Sequence, residues 1–138
     1  MILTADIGNT NITLGAYDSG VLAFTARLAT DTAKTADQYA VEIKNLLSLD
    51  CIGADEIEDC IISSVVPPLN AIMKKAVRLV FGVDPLMVGP GIKTGLDIRL
   101  ENPGQTGADL VVADVAALRE HKPPLIVIDM GTATTMSV

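Results

Sequence analysis

The chain reads as a mixed α/β protein, and three observations predict that class. Apolar runs of strand length alternate with amphipathic segments of helical period, in the order β-β-β-α-β-α-β-α-β-β. Short polar links containing glycine, Gly8-Asn9 and Asp18-Ser19-Gly20, join the first runs as antiparallel hairpins. A turn of Asp-x-Gly with threonine close behind occurs twice, at Asp6-Ile7-Gly8-Asn9-Thr10 and at Asp129-Met130-Gly131-Thr132-Ala133-Thr134.

The first strands are expected at 1–7, 11–17 and 21–28. Thr35 then offers an N-cap, with Gln38 completing a capping box, and Ala36, Tyr39, Ala40, Ile43, Leu46 and Leu47 fall on one helical face. Cys60 to Val66 is a short buried strand stopped at Pro67-Pro68. A second amphipathic helix turns Leu69, Ile72, Met73, Ala76, Val77 and Val80 inward and ends at Gly82. Leu86-Met87-Val88 is a brief strand, and the Gly- and Pro-rich stretch from Gly89 to Gln105 is long enough to suggest a functional loop. Thr106 is expected to cap a third helix, apolar nearly all round from Leu110 to Leu118 and therefore buried on several sides, by a partner subunit or a further domain. Leu125 to Ile128 and Met136 to Val138 flank the second turn, so this hairpin restarts the pattern of the first.

A tight turn after a buried strand gathers backbone N–H groups into an anion nest. Gly8 and Gly131 are expected to supply positive φ and close approach, while Asn9, Thr10, Thr13, Thr132, Thr134 and Thr135 add amide and hydroxyl donors. Asp6 and Asp129 place a carboxylate at each mouth, as Mg²⁺ beside a polyphosphate requires. Neither turn contains lysine, which excludes a Walker P-loop. A single such turn is more often just an Asx turn in an ordinary hairpin. Its repetition favours two phosphate turns facing one another.

With 138 residues, 49% hydrophobic and 20% charged, the chain can bury one core and is globular. The mean hydropathy of +0.43 does not indicate a membrane protein, because no apolar run approaches the ~18 residues of a span. The first residues carry no basic region, so no secretory signal is read and a cytoplasmic setting is expected. A net charge of −7 and a pI near 4.4 argue against nucleic acid as a partner. Cys51 and Cys60 form no zinc framework and are expected to be reduced, partly buried thiols. His121 reads as part of the basic last turn of the third helix.

The motifs together resemble the acetate and sugar kinase, Hsp70 and actin superfamily, and within it type III pantothenate kinase. The likeness rests on Asp6 to Asn11, Ile62-Ser63-Ser64-Val65-Val66-Pro67-Pro68, Val88-Gly89-Pro90-Gly91, Asn102-Pro103, Gly107-Ala108-Asp109 and Asp129 to Thr135. It implies a ribonuclease H-like (actin-like ATPase) domain with a mixed five-stranded sheet at 1–122, followed at 123–138 by the first hairpin of an incomplete second domain. It also implies ATP-dependent phosphorylation of pantothenate, the first step of coenzyme A synthesis, with Mg²⁺, a monovalent cation (K⁺ or NH4⁺) and a homodimer. Asp6, Ile7, Gly8, Asn9, Thr10, Asn11, Ile12 and Thr13 would then form the first phosphate turn, and Thr132 would meet ATP from the second. Asp6 would help hold Mg²⁺ and Asp129 the monovalent cation. Gly107, Ala108, Asp109 and Leu110 would bind substrate, with Asp109 as the base.

From the residues alone, Thr106 as N-cap would put Asp109 at N3, where the helix terminus favours an ionised carboxylate. The same position suits a capping-box acid with no catalytic part. Leu110 stands where the family normally has Arg, and Leu100 where Tyr is common, and each lost polar partner costs on the order of 1–3 kcal/mol in a buried site. These departures keep open a non-catalytic nucleotide-binding relative, beside an actin-like structural domain. Residues 1–138 alone are expected to lack turnover.

Overall fold

A computed structural model describes residues 1–90, 92–99, 106–131 and 134–138. Strands β1 (Ile2–Ile7), β2 (Asn11–Asp18) and β3 (Val21–Ala29) form an antiparallel meander. Helix α1 (Ala36–Leu49) and a 3₁₀ turn lead to β4 (Asp59–Ser64), which lies parallel to β1. Helix α2 (Pro67–Phe81) then leads to the two-residue β5 (Leu86–Met87), parallel to β4. The sheet order is β3-β2-β1-β4-β5, the mixed five-stranded α/β arrangement expected of an actin-like ATPase domain. Helix α3 (Ala108–Glu120) follows, and β6 (Val127–Met130) and β7 (Thr134–Ser137) make a separate antiparallel hairpin.

Strand alternation decides which face is buried. Leu3, Ala5 and Ile7 of β1 pack with Ile12, Leu14 and Ala16 of β2 and with Ile62 of β4 against α1 and α2. From the helices, Tyr39, Ile43 and Leu47 meet Leu69, Met73 and Val77 in that core. Ile2, Thr4 and Asp6 consequently face the other side. A bulge between Ala16 and Tyr17 shifts the β2–β3 register near its outer end.

Local signals set the helix ends. Thr35 Oγ1 accepts the Gln38 N–H at 3.3 Å, and Gln38 Oε1 accepts the Thr35 N–H at 2.8 Å, completing the capping box. Pro67 and Pro68 occupy the first turn of α2, where a missing N–H breaks no helical bond, so they begin the helix as well as follow the strand. Gly82 ends α2 in the left-handed region at φ 72°.

Helix α3 departs from expectation at its start. Its N-cap is Gly107, so Asp109 sits at N2 and not N3, and the buried Thr106 Oγ1 has no hydrogen-bond partner among the described residues. Of α3 only Ala108 is buried. His121 is the C-cap, in extended conformation, donating its N–H to Ala117 O at 2.8 Å. Cys60 is buried but Cys51 is exposed, which corrects the expectation for that thiol. Among the described residues no helix is long and apolar enough to cross a membrane.

Candidate phosphate and metal site

The first turn is a tight hairpin in which Gly8 N–H donates to Asn11 O at 2.9 Å. Asn9 and Thr10 are exposed at its tip. The positive-φ glycines among the described residues include Gly20, Gly82 and Gly95 but not Gly8, which therefore lacks the conformation expected of it. Gly8 is needed for space instead. A Cβ there would stand 3.1 Å from the Asn11 carbonyl, closer than side-chain carbons normally come.

Asp6 ends β1 on the face away from the core, paired with Thr13 on one side and Ser63 on the other. Thr13 is thus brought beside Asp6, while Ile7 and Ile12 point into the core and shape the turn from beneath. Asn11 is exposed at the start of β2. Ser63, 6% exposed, carries a hydroxyl with no well-formed hydrogen bond. That hydroxyl lies close enough to favour the charged form of Asp6.

Other influences on Asp6 run the opposite way. Its carboxyl is raised above the ordinary value of 3.8, first by desolvation, against which Ser63 acts, and then by the charges of Asp109 and Asp129. Asp6 itself is exposed to solvent, so protein crowds it from some sides and leaves a mouth on another. The charges of Asp109 on α3 and Asp129 on β6 therefore both act on Asp6 at the end of β1.

Asp109 is held locally. Its Oδ1 accepts the Leu110 N–H at 2.8 Å. A Cβ on Gly107 would overlap that same Oδ1, so the absent side chain is what lets the carboxylate fold over the helix start. A Cβ on Gly107 would also touch Val65 Cγ1 at 3.8 Å, and Val65 N–H donates to Ile7 O at 3.0 Å. The start of α3 is thereby fixed beside the ends of β4 and β1.

In the second hairpin Asp129 is paired with Thr135, as Asp6 is with Thr13. Each carboxylate thus faces a threonine across its own hairpin. Thr135 Oγ1 is buried without a hydrogen-bond partner among the described residues, and Asp129 is exposed. Thr132 lies outside the described residues, as does Leu100.

Hard carboxylate and hydroxyl oxygens suit Mg²⁺ and alkali cations. Among the described residues, however, no three Asp, Glu, His or Cys side chains come close enough to hold an ion together. A metal here would take one or two carboxylates and complete its shell with phosphate and water. A cavity of about 610 Å³ lies to one side, between residues 95–99, α3 and the second hairpin. Thr106 and Leu110 line it, but Asp6, Asp109 and Asp129 do not, so it lies apart from the carboxylates.

Sequence reasoning singled out the three aspartates but gave no part to Ser63 or Thr30. A serine pair inside the apolar run Cys60-Ile61-Ile62-Ser63-Ser64 was the available signal for the first. Thr30 had none, since its bonds to Gly8 and Thr10 of the turn join residues far apart in the chain, the longer one spanning 22 residues.

A family model described as type III pantothenate kinase matches residues 2–138. Relatives include the type III pantothenate kinase of Geobacter sulfurreducens, 47% identical over 135 residues, which are 98% of this chain and 53% of that protein. Those of an Exiguobacterium species and of Geotalea uraniireducens are 46% and 47% identical over the same shares. The chain spans about half the length of these curated relatives. On this match, and on a fold that agrees with it, the chain belongs to the type III pantothenate kinase family.

Proposed function

We propose that this chain supplies one wall of an ATP-dependent kinase that phosphorylates pantothenate, acting in coenzyme A synthesis as a homodimer. The observation that carries the reading is that Asp6, at the end of β1, lies within reach of the charges of Asp109 on α3 and Asp129 on β6. The names of the relatives point the same way and lend no support to a non-catalytic regulator. Two free thiols, one of them exposed, suit a reducing cytoplasm.

Each residue then has a task. The turn from Asp6 to Thr13 takes the polyphosphate, and Thr132 meets it from the second hairpin. Asp6 would contribute a carboxylate oxygen to Mg²⁺ and Asp129 one to K⁺ or NH4⁺; these ions neutralise phosphate charge when bound. Gly107, Ala108 and Leu110 place the pantothenate hydroxyl near Asp109. As the hydroxyl oxygen bonds to the γ-phosphorus, the bond to the β-phosphate oxygen breaks and the hydroxyl proton passes to Asp109. Such transfers depend mainly on positioning and charge neutralisation, and little on the strength of the base.

The test is the full-length protein assayed with MgATP, a potassium salt and pantothenate. Phosphopantothenate and ADP should form in equal amounts, and Asp109→Asn should lower kcat by about 10²–10⁴-fold with little change in KM for ATP. Nucleotide binding without phosphopantothenate would overturn the proposal. Residues 1–138 alone should give no turnover.

A further inference from the structure

The segment leaving β3 reaches back across the tip of the first hairpin. Thr30 Oγ1 donates to Gly8 O at 2.7 Å, and Thr30 N–H donates to Thr10 O at 3.0 Å. The next residue is tied just as firmly. Asp31 N–H donates to Tyr39 Oη at 2.9 Å, and the Tyr39 hydroxyl donates back to Asp31 O at 2.9 Å. Tyr39 is wholly buried on α1, inside the core. The turn is therefore connected to the hydrophobic core through Thr30, Asp31 and Tyr39.

Peptide units are planar and trans, so each N–H points opposite to the carbonyl before it. Drawing Gly8 O and Thr10 O towards Thr30 turns the Asn9 and Asn11 N–H groups away from it. A nest for anions depends on that aim. Gly8 N–H cannot serve, because it is already bonded to Asn11 O. Aim must come from outside the hairpin, and Thr30 holds both carbonyls that set it.

We infer that Thr30, braced by Tyr39, is a positioning residue that aims the Asn9 and Asn11 amides at the nucleotide's phosphates. This rests on the reading of the first hairpin as a phosphate turn. Neither side chain need touch the nucleotide.

The experiment uses the full-length protein and compares Thr30→Val, which keeps the branched shape without the donor, with Thr30→Ser, which restores it. Dissociation constants are measured for MgATP and for adenosine, with KM for pantothenate and thermal unfolding alongside. Loss of one oriented anchor should weaken MgATP by about tenfold in Thr30→Val. Adenosine affinity and pantothenate KM should stay within about twofold, and Thr30→Ser should recover most of the loss. Tyr39→Phe should shift MgATP affinity in the same direction by less. Unchanged MgATP affinity in Thr30→Val, an equal loss for adenosine, or no rescue by serine would overturn the inference. If Thr30→Val fails to fold, Thr30→Ala serves in its place. Asp6→Asn separates the two layers: if it loses MgATP while Thr30→Val keeps it, only the positioning role fails. If both bind MgATP normally, the phosphate turn itself is wrong.

Discussion

Substituting Gly107 by alanine should separate catalysis from stability. The backbone there lies at φ −58° and ψ 141°, a region open to any residue, so alanine brings no backbone strain. Its Cβ would overlap Asp109 Oδ1, the free end of a flexible side chain, which must swing away. The fold then loses the 2.8 Å bond from Leu110 N–H, about 1 kcal/mol. Alanine is also a poorer N-cap than glycine, by under about 1 kcal/mol. Together that is roughly 2 kcal/mol, a few degrees of unfolding temperature, against the about 5–15 kcal/mol of an ordinary domain. The consequence for turnover is larger, since a proton acceptor displaced by an ångström or more forfeits about 10²-fold in rate. The full-length Gly107→Ala protein should therefore fold, bind MgATP normally and turn over about a hundredfold more slowly. Steady-state kinetics beside a thermal melt decides it. A kcat within twofold of wild type would refute the placement of Asp109 at the reacting hydroxyl, and a collapse of the melt would refute the account of the contact.

Three further outcomes follow from the same structure. The folded-state pKa of Asp6 lies above 3.8, chiefly through desolvation and then through Asp109 and Asp129, so its charge opposes folding above that raised value and ceases to as pH falls through it. Asp6→Asn should accordingly melt higher than wild type near neutral pH and match it at acid pH, while Asp129→Asn should move the Asp6 titration, followed by carboxyl NMR, downward; an upward movement would contradict the cluster. Burial first, and the Asp59 charge second, push the Cys60 thiol up to about 12, so the native protein at pH 8 should release one equivalent of thiol signal from Cys51 and a second only in denaturant. Thr35→Ala removes the side-chain half of the α1 capping box and should cost about 1 kcal/mol in chemical denaturation, with serine restoring it.

What the sequence disclosed depended on the range of the signal. The start of α1 and the end of α2 were legible, because Thr35, Gln38 and Gly82 act within a few residues of where they stand. The sheet order was not, because the parallel register of Asp6 against Ser63 joins strands with nothing local to align them. The cap of α3 was misread through a choice between neighbours. Thr106 turns its hydroxyl inward and lines the side cavity, Gly107 takes the cap, and Asp109 satisfies the next backbone N–H but one residue earlier in the helix than expected. The mirrored aspartates were visible as a repeated motif, but that each faces a threonine across its hairpin needed the strand pairing.

The two rims of the main sheet are unequal. One is the two-residue β5, too short to template anything, and the other is the nine-residue β3. An outer strand of that length offers a row of free amides and carbonyls to any second chain in solution. Val21 and Leu22, both well exposed, make its beginning the more adhesive end. The bulge opposite, between Ala16 and Tyr17, twists that end out of plane, and the exposed Arg27 sets a charge further along. Aggregation of partly unfolded material through this sheet would begin along β3, and a lysine at Leu22 is the change that would suppress it.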